Sequence, residues 1–581
     1  MDTTKRINRV QILLGFSVLV FIILLVRLFY IQIIEHDRYL QLANSMQVMR
    51  DIIQPERGQI YIRDGSSVAP LVLNKTVFTV FADPQEMVDK DEVISKVRPI
   101  VGDRYEAADN ALDDSSARYV VLARQVSRDL AEQIQDLKLK GVGLQANTQR
   151  VYPEGSLASH TIGFVNMDGK GQYGVEEYLD QDLRGTPGQL ESVTDVRRIP
   201  LTIGQHDVRI PAIHGQSIVL TLDRNIQSEV EAALSWGLKN VGATSGSVVV
   251  MDPQNGEVIA MASYPNYDPA NYNKVSDNSV FANTAVSYSF EPGSVAKVMT
   301  MAAAIDSSAV NQSSTFYNAG CVQIEDARIC NVDRTVDGRN LSMNEVLQYS
   351  LNTGVVWTLE QMGGGSINSR AKNTLYNYFH DRYRLDMTTN VEQGGEAQGL
   401  IFPPDHEQGG VVNYANMTFG QGFRTTTISM LSAFCAVING GTYYQPRLVA
   451  GVLDNENIIM PTEPIVVSGG IVNSETSKAV RDMMRQARIG YFGNPNADNG
   501  YLVGAKSGTA QVYDPNTGLY STTRYIGTFL GYGADASSEA KYAIMVRVDD
   551  SRAGGFAGSE AAGPIFTRIS DWIINYKGIS K

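Results

Sequence analysis

Phe290-Glu291-Pro292-Gly293-Ser294-Val295-Ala296-Lys297 is the stretch from which the rest of this chain can be read. Pro292 and Gly293 punctuate the backbone, and residues 295–305 form an apolar, alanine-rich run that predicts a buried helix beginning at Ser294. A serine at a helix start can simply be an N-cap whose hydroxyl takes up a backbone N–H. Lys297 asks for a further reason. Three residues on, it shares a helical face with Ser294 while its apolar neighbours imply burial. Desolvation disfavours an ammonium, so such an amine can accept the serine proton, and a helix N-terminus favours the negative charge that then develops. Ser294 and Lys297 are thus a candidate nucleophile and base.

Downstream, Ser350-Leu351-Asn352 follows the helix-like residues 343–349 and precedes Thr353-Gly354. Ser-x-Asn also occurs at Ser276-Asp277-Asn278, Ser342-Met343-Asn344 and Ser366-Ile367-Asn368. Ser342 reads as a helix cap and the other two as polar loops, which leaves Ser350, at a break between apolar helical runs. Lys506-Ser507-Gly508-Thr509 lies inside a strand-like run, residues 502–512. There a lysine can place an ammonium beside a substrate carboxylate, and the glycine can let a peptide approach the strand edge; the plainer alternative is an ordinary strand with one exposed lysine. Cys321 and Cys330 bracket a hairpin with its tip at Glu325-Asp326, a register that sets Cys321 opposite Cys330, Val322 opposite Ile329 and Ile324 opposite Ala327. A disulfide and two free thiols both fit that pairing. Cys435, in an apolar run, reads as core. The six histidines show no metal-ligand spacing, so neither a metal nor another cofactor is expected.

Working further outward, residues 246–252 and 258–263 flank the turn Pro253-Gln254-Asn255-Gly256, residues 525–532 and 542–548 read as strands, and residues 565–576 read as a closing helix. Strands at both ends of a mainly helical middle predict one α+β domain, residues 216–581, whose sheet gathers distant parts of the chain. It opens near a strand at 218–223 followed by a helix at 226–234. Residues 36–215 mix short strands, such as 77–81, with polar helices, such as 127–137, and carry no obvious chemistry. Residues 10–34 are apolar enough to span a bilayer, which takes about 20 helical residues. Lys5, Arg6 and Arg9 precede this span and Glu35 and Asp37 follow it, predicting a cytoplasmic tail at 1–9, an uncleaved anchor at 10–34 and export of the remainder. A net charge of -13 over 581 residues argues against nucleic acid as a partner.

Ser-x-x-Lys at Ser294, Ser-x-Asn at Ser350 and Lys-Ser-Gly at Lys506, in this order, resemble the three motifs of the penicillin-recognising serine transpeptidases and serine β-lactamases. Arg57-Gly58-Gln59-Ile60-Tyr61-Ile62-Arg63-Asp64-Gly65, Arg150-Val151-Tyr152-Pro153 leading to Ile162-Gly163-Phe164, and Gly174-Val175-Glu176 with Leu183-Arg184-Gly185-Thr186-Pro187-Gly188 resemble the pedestal of class B penicillin-binding proteins. Gly420-Gln421-Gly422 and Ala562-Gly563-Pro564-Ile565-Phe566 add to the likeness. Ile62 departs from it where the family usually has aspartate, as does Arg424-Thr425-Thr426-Thr427-Ile428 where Thr-Pro-Leu-Gln is common.

The resemblance implies a transmembrane helix, an elongated pedestal at 36–215 and a serine β-lactamase-like transpeptidase domain, an antiparallel sheet with a helical subdomain. It implies a septal or elongation-type peptidoglycan D,D-transpeptidase that cross-links stem peptides and is acylated by β-lactams. Ser294 would be the nucleophile, Lys297 the base and Ser350 the proton relay. Asn352 would bind the substrate amide, Lys506 would hold the carboxylate and depress the Lys297 pKa, and Ser507, Gly508 and Thr509 would line the substrate. The implied membrane partners are a SEDS-family glycosyltransferase and other divisome or elongasome proteins. A D,D-carboxypeptidase or β-lactamase shares the three motifs, a β-lactam sensor needs more chain before the span, and a division scaffold is the non-enzymatic alternative.

Overall fold

The computed structural model describes residues 9–39, 48–106, 110–114, 116–193, 208–454, 458–492, 500–514, 519–551 and 557–581. Nearly all of the expected cytoplasmic tail, residues 1–8, lies outside the described residues. The chain forms two compact units, one of Met1–Glu56 with Arg184–Gly215 and one of Arg57–Leu183 with Gln216–Lys581. The first unit holds an α-helix, Arg9–Phe29, prolonged by a π turn, Tyr30–Ile34, and a three-stranded antiparallel sheet of Val48–Ile53, Gly188–Val193 and Val208–Ile210. Among the described residues, Arg9–Ile34 is one helix long and apolar enough to cross a membrane.

The second unit contains two large sheets. In chain order, its first strands longer than two residues are β1 (Ile60–Asp64), β2 (Ser67–Ala82), β3 (Val120–Val126), β4 (Val142–Val151) and β5 (Ile218–Asp223). Then come helix α1 (Arg224–Val241), strands β6 (Ser245–Met251) and β7 (Val258–Tyr264), helix α2 (Ala296–Asp306) and the hairpin β8 (Cys321–Ile324) with β9 (Ala327–Cys330). Helices α3 (Met343–Gln348), α4 (Asn352–Met362) and α5 (Thr427–Ile438) follow, then strands β10 (Val449–Leu453) and β11 (Ile459–Pro461). The chain closes with α6 (Ser474–Phe492), β12 (Leu502–Asp514), β13 (Leu519–Ala534), β14 (Ala540–Asp549) and α7 (Gly563–Lys577).

One sheet runs β11-β10-β5-β1-β2-β3, with β4 also paired to β2. β5, read from sequence as the opening of a separate domain, lies inside this sheet: it pairs parallel with β1 and antiparallel with β10. Pairing across so long a stretch of chain leaves no local signal, because a fully apolar strand such as Ile-Val-Leu-Thr-Leu fits any sheet buried on both faces. The other sheet is antiparallel, in the order β7-β6-β14-β13-β12. It has helices on both faces. Val248, Val250, Ile544 and Val546 pack with α1 (Val230, Leu234) and α7 (Ile565, Ile569), while Val249, Met251 and Met545 pack with α2 and α5.

Capping chemistry sets the helix ends. The Asp223 carboxylate accepts from Asn225 and Ile226 N–H at the start of α1, and Gly242 closes it in the left-handed region with φ +63°. The Arg424–Thr427 departure has a local explanation: the Thr426 hydroxyl accepts from Ser429 N–H and starts α5, every residue of which is buried. Buried charge links the pedestal-like segments. Glu176, wholly buried, accepts from Arg57 Nε at 2.9 Å and Arg150 Nε at 2.9 Å, and Arg57 Nη1 also donates to Asp180 at 2.8 Å. β1 is tied to the second sheet by Arg63, whose guanidinium meets Glu257 through two hydrogen bonds, of 2.7 and 2.8 Å, while Arg447 donates to the same carboxylate at 2.7 Å.

Candidate active site

Ser294 lies in a 3-10 turn, Gly293–Val295, immediately before α2. One neighbouring segment, residues 420–425, pins the approach to this turn at three points. Phe290 exchanges backbone hydrogen bonds of 2.9 and 3.0 Å with Thr425, Gly293 N donates to Gly420 O at 3.1 Å, and Glu291 Oε1 accepts from Gly422 N at 2.9 Å. Gly420 is needed there: a Cβ on it would lie 2.0 Å from Gly293 O, at φ +88°. The Gly-Gln-Gly segment and the Ser294 turn are therefore in backbone contact.

Lys297, the second residue of α2, is wholly buried. Its Nζ donates to Ser350 O at 2.5 Å and to Ser350 Oγ at 3.2 Å, which joins the first two motifs directly. Ser350 occupies the tight break between α3 and α4 with a left-handed φ of +54°, a conformation rare for a residue with a side chain and held here by the packed helices around it. On the neighbouring strand β12, Lys506 is buried and donates to Ser507 O at 2.8 Å. Burial chiefly, and then the Lys506 charge, holds the Lys297 amine well below the ordinary lysine range. Burial also lowers Lys506, to about 7. A lysine whose amine is held below its ordinary range, beside a hydroxyl and one turn from a serine, can accept and pass a proton.

β12 is the end strand of its sheet, so among the described residues one edge of Lys506–Thr509 has no neighbouring strand. Gly508 is placed differently from the sequence expectation. A Cβ on it would lie 2.4 Å from Thr528 Oγ1 and 2.9 Å from Val295 N, so the missing side chain lets the strand close on the nucleophile turn. Thr528 reinforces that contact by donating to Pro292 O at 2.9 Å. Thr509 Oγ1 accepts from Gly558 N at 3.1 Å, and the Asn352 side chain donates to Cys330 O at 2.9 Å. Cys321 and Cys330 are bonded, and the hairpin has the register read from the sequence, Cys321 opposite Cys330 and Ile324 opposite Ala327. Sequence reasoning missed Asn318, Asn331 and Thr353, a buried polar cluster behind Asn352, because single Asn and Thr residues scattered over this stretch form no pattern.

Comparison with known proteins agrees with this architecture. Residues 246–571 match the family described as "Penicillin binding protein transpeptidase domain", and residues 52–220 that described as "Penicillin-binding Protein dimerisation domain". Stage V sporulation protein D of Bacillus subtilis (strain 168) is 30% identical over 97% of this chain and 84% of its own length. Peptidoglycan D,D-transpeptidase FtsI of Escherichia coli (strain K12) is 29% identical over 98% of this chain and 92% of its own. Among solved structures, penicillin binding protein 2X from Streptococcus thermophilus superposes with a TM-score of 0.70 at 22% identity, covering 90% of this chain and 80% of that one.

Proposed function

The chain belongs to the class B penicillin-binding protein transpeptidases, and from that membership we propose that it is a membrane-anchored peptidoglycan D,D-transpeptidase acting in cell division or elongation through a serine acyl-enzyme. The observation that carries the serine mechanism is the buried Lys297 amine, held by both oxygens of Ser350 one turn from Ser294. Ser294 Oγ attacks the carbonyl of the penultimate D-alanine of a stem peptide. Lys297 takes the hydroxyl proton, the amide to the terminal D-alanine breaks, and Ser350 relays a proton to the departing amine. An amine of a second stem peptide then attacks the ester, which forms the cross-link and frees Ser294. Lys506 in its charged form draws the substrate carboxylate to the edge of β12, and backbone N–H groups of Ser294 and Thr509 receive the oxyanion. Asn352 hydrogen-bonds the substrate amide, and Ser507, Gly508 and Thr509 line the bound peptide.

In this reading residues 10–34 anchor the protein, 36–215 form the pedestal and 216–581 the catalytic domain, with the tail 1–9 cytoplasmic as its basic residues favour. A SEDS-family glycosyltransferase and other divisome or elongasome proteins are the proposed membrane partners.

The test is mass spectrometry after incubation with a fluorescent penicillin, beside Ser294→Ala. A stable adduct on the Ser294 peptide, absent from the variant, is the expected result. No adduct on folded protein would move the reading to a scaffold, and an adduct lost within minutes would mark a hydrolase.

A further inference from the structure

Helix α4 begins with the second motif, yet its N-cap residue, Leu351, has no side-chain oxygen to offer the free N–H groups of the first turn. A different segment supplies the cap. Asn331 Oδ1 accepts from Thr353 N at 3.0 Å and lies 3.2 Å from Thr353 Oγ1. The residue before it, Cys330, accepts from the Asn352 side chain through its carbonyl. Two consecutive residues thus hold two consecutive residues at the start of α4. Asn331 is itself fixed: its Nδ2 donates to Asn318 Oδ1 at 2.8 Å, its N–H donates to Gly320 O at 2.9 Å, and Asn318 Nδ2 donates to Val336 O at 3.1 Å. All three side chains of this cluster, Asn318, Asn331 and Thr353, are buried, where such bonds are not exchanged for water. The Cys321–Cys330 bond closes the hairpin at the residue that touches Asn352.

The geometry points to Asn331 as a positioning residue for acylation: with the carbonyl of disulfide-bonded Cys330, its amide fixes the start of α4 and so the placement of Asn352 and of the adjoining Ser350, which holds Lys297. The inference rests on the roles given above to those two residues. Asn331 touches no substrate; it acts by holding groups that do. A reacting group misplaced by about 1 Å can lose on the order of a hundredfold in rate. Loosening this clip therefore slows the chemical step and leaves β-lactam recognition largely intact.

The experiment uses the full-length protein in detergent, with acylation by a fluorescent penicillin resolved into a dissociation constant and a limiting rate, and folding followed by circular dichroism. For Asn331→Ala the limiting rate is expected to fall roughly tenfold or more with Kd changed less than about twofold, a split that a general loss of folded structure would not give. A limiting rate for Asn331→Ala equal to wild type, or one that falls only in step with the folded fraction, overturns the proposal. Should Asn331→Ala not fold, Cys321→Ser with Cys330→Ser decides, because it opens the clip and leaves its hydrogen-bonding groups in place. A slowed limiting rate supports the proposal and an unchanged one ends it. Wild-type protein that is not acylated at Ser294 overturns the active-site reading, and this inference with it; normal wild-type acylation with an unaffected Asn331→Ala overturns this inference alone.

Discussion

Lys297 and Lys506 share one poorly solvated region, where two ammonium charges cost more than one. Catalysis as proposed needs Lys297 neutral and Lys506 charged. Acylation measured as limiting rate over Kd should therefore rise on an acid limb set by Lys297 and fall as pH passes about 7, where free-enzyme Lys506 loses its proton. Lys506→Met should lose that falling limb along with most of its activity, on the order of a hundredfold or more. Stability carries the same signature. The unfolded lysine titrates near 10.5 and the folded one near 7, so between these values the unfolded chain binds the extra proton and the Lys506 contribution to stability rises with pH. Calorimetry should show the Tm of Lys506→Met, minus that of wild type, shrinking from pH 7 towards pH 10; a constant difference would contradict the burial assigned here. The sequence made the burial of Lys297 readable through its apolar neighbours. It could not reveal that Ser350 supplies both a carbonyl and a hydroxyl to the amine, because that depends on a left-handed turn 53 residues away.

The elements around the site are placed by close backbone approach more than by side-chain bulk. Gly508→Ala would put a methyl group 2.9 Å from Val295 N and 3.1 Å from Pro292 O, so β12 or the nucleophile turn must move. The expected outcome is acylation slowed by roughly a hundredfold with the sheet retained, read by stopped-flow fluorescence beside circular dichroism. The hairpin register was legible because alternation from Cys321 to Cys330 permits one pairing with the apolar residues on a common face. The direction in which Gly508 is crowded was not. A glycine in a strand says that something comes close, and only the fold says whether it is a ligand or another part of the chain. Likewise the sequence placed Ser294 at a helix start, and the structure puts it in the 3-10 turn just before, a difference that boundary fraying commonly produces.

Across the second unit, separated charges meet in two buried clusters. Glu176→Gln would leave Arg57 and Arg150 facing a neutral amide, both buried, and should cost about 3–5 kcal/mol in chemical denaturation, with acylation by the folded fraction unchanged. Arg57, Arg150 and Glu176 each stand in a recognisable segment, so their importance was readable before their contact was. Arg63 stands in one of those segments too, but its partners Glu257 and Arg447 gave no comparable signal: the carboxylate lies 194 residues from one arginine and 190 from the other. The parallel pairing of β1 with β5 and the antiparallel pairing of β5 with β10 have a bearing on inheritance. Genes that acquire foreign segments by recombination keep working when the crossover falls between self-contained pieces. Here a crossover anywhere between residues 64 and 218 marries a β1 from one parent to a β5 from the other, and one between 223 and 449 does the same for β5 and β10. Mosaic alleles of this gene should therefore be viable mainly when the donor is close enough in sequence to share these strand faces.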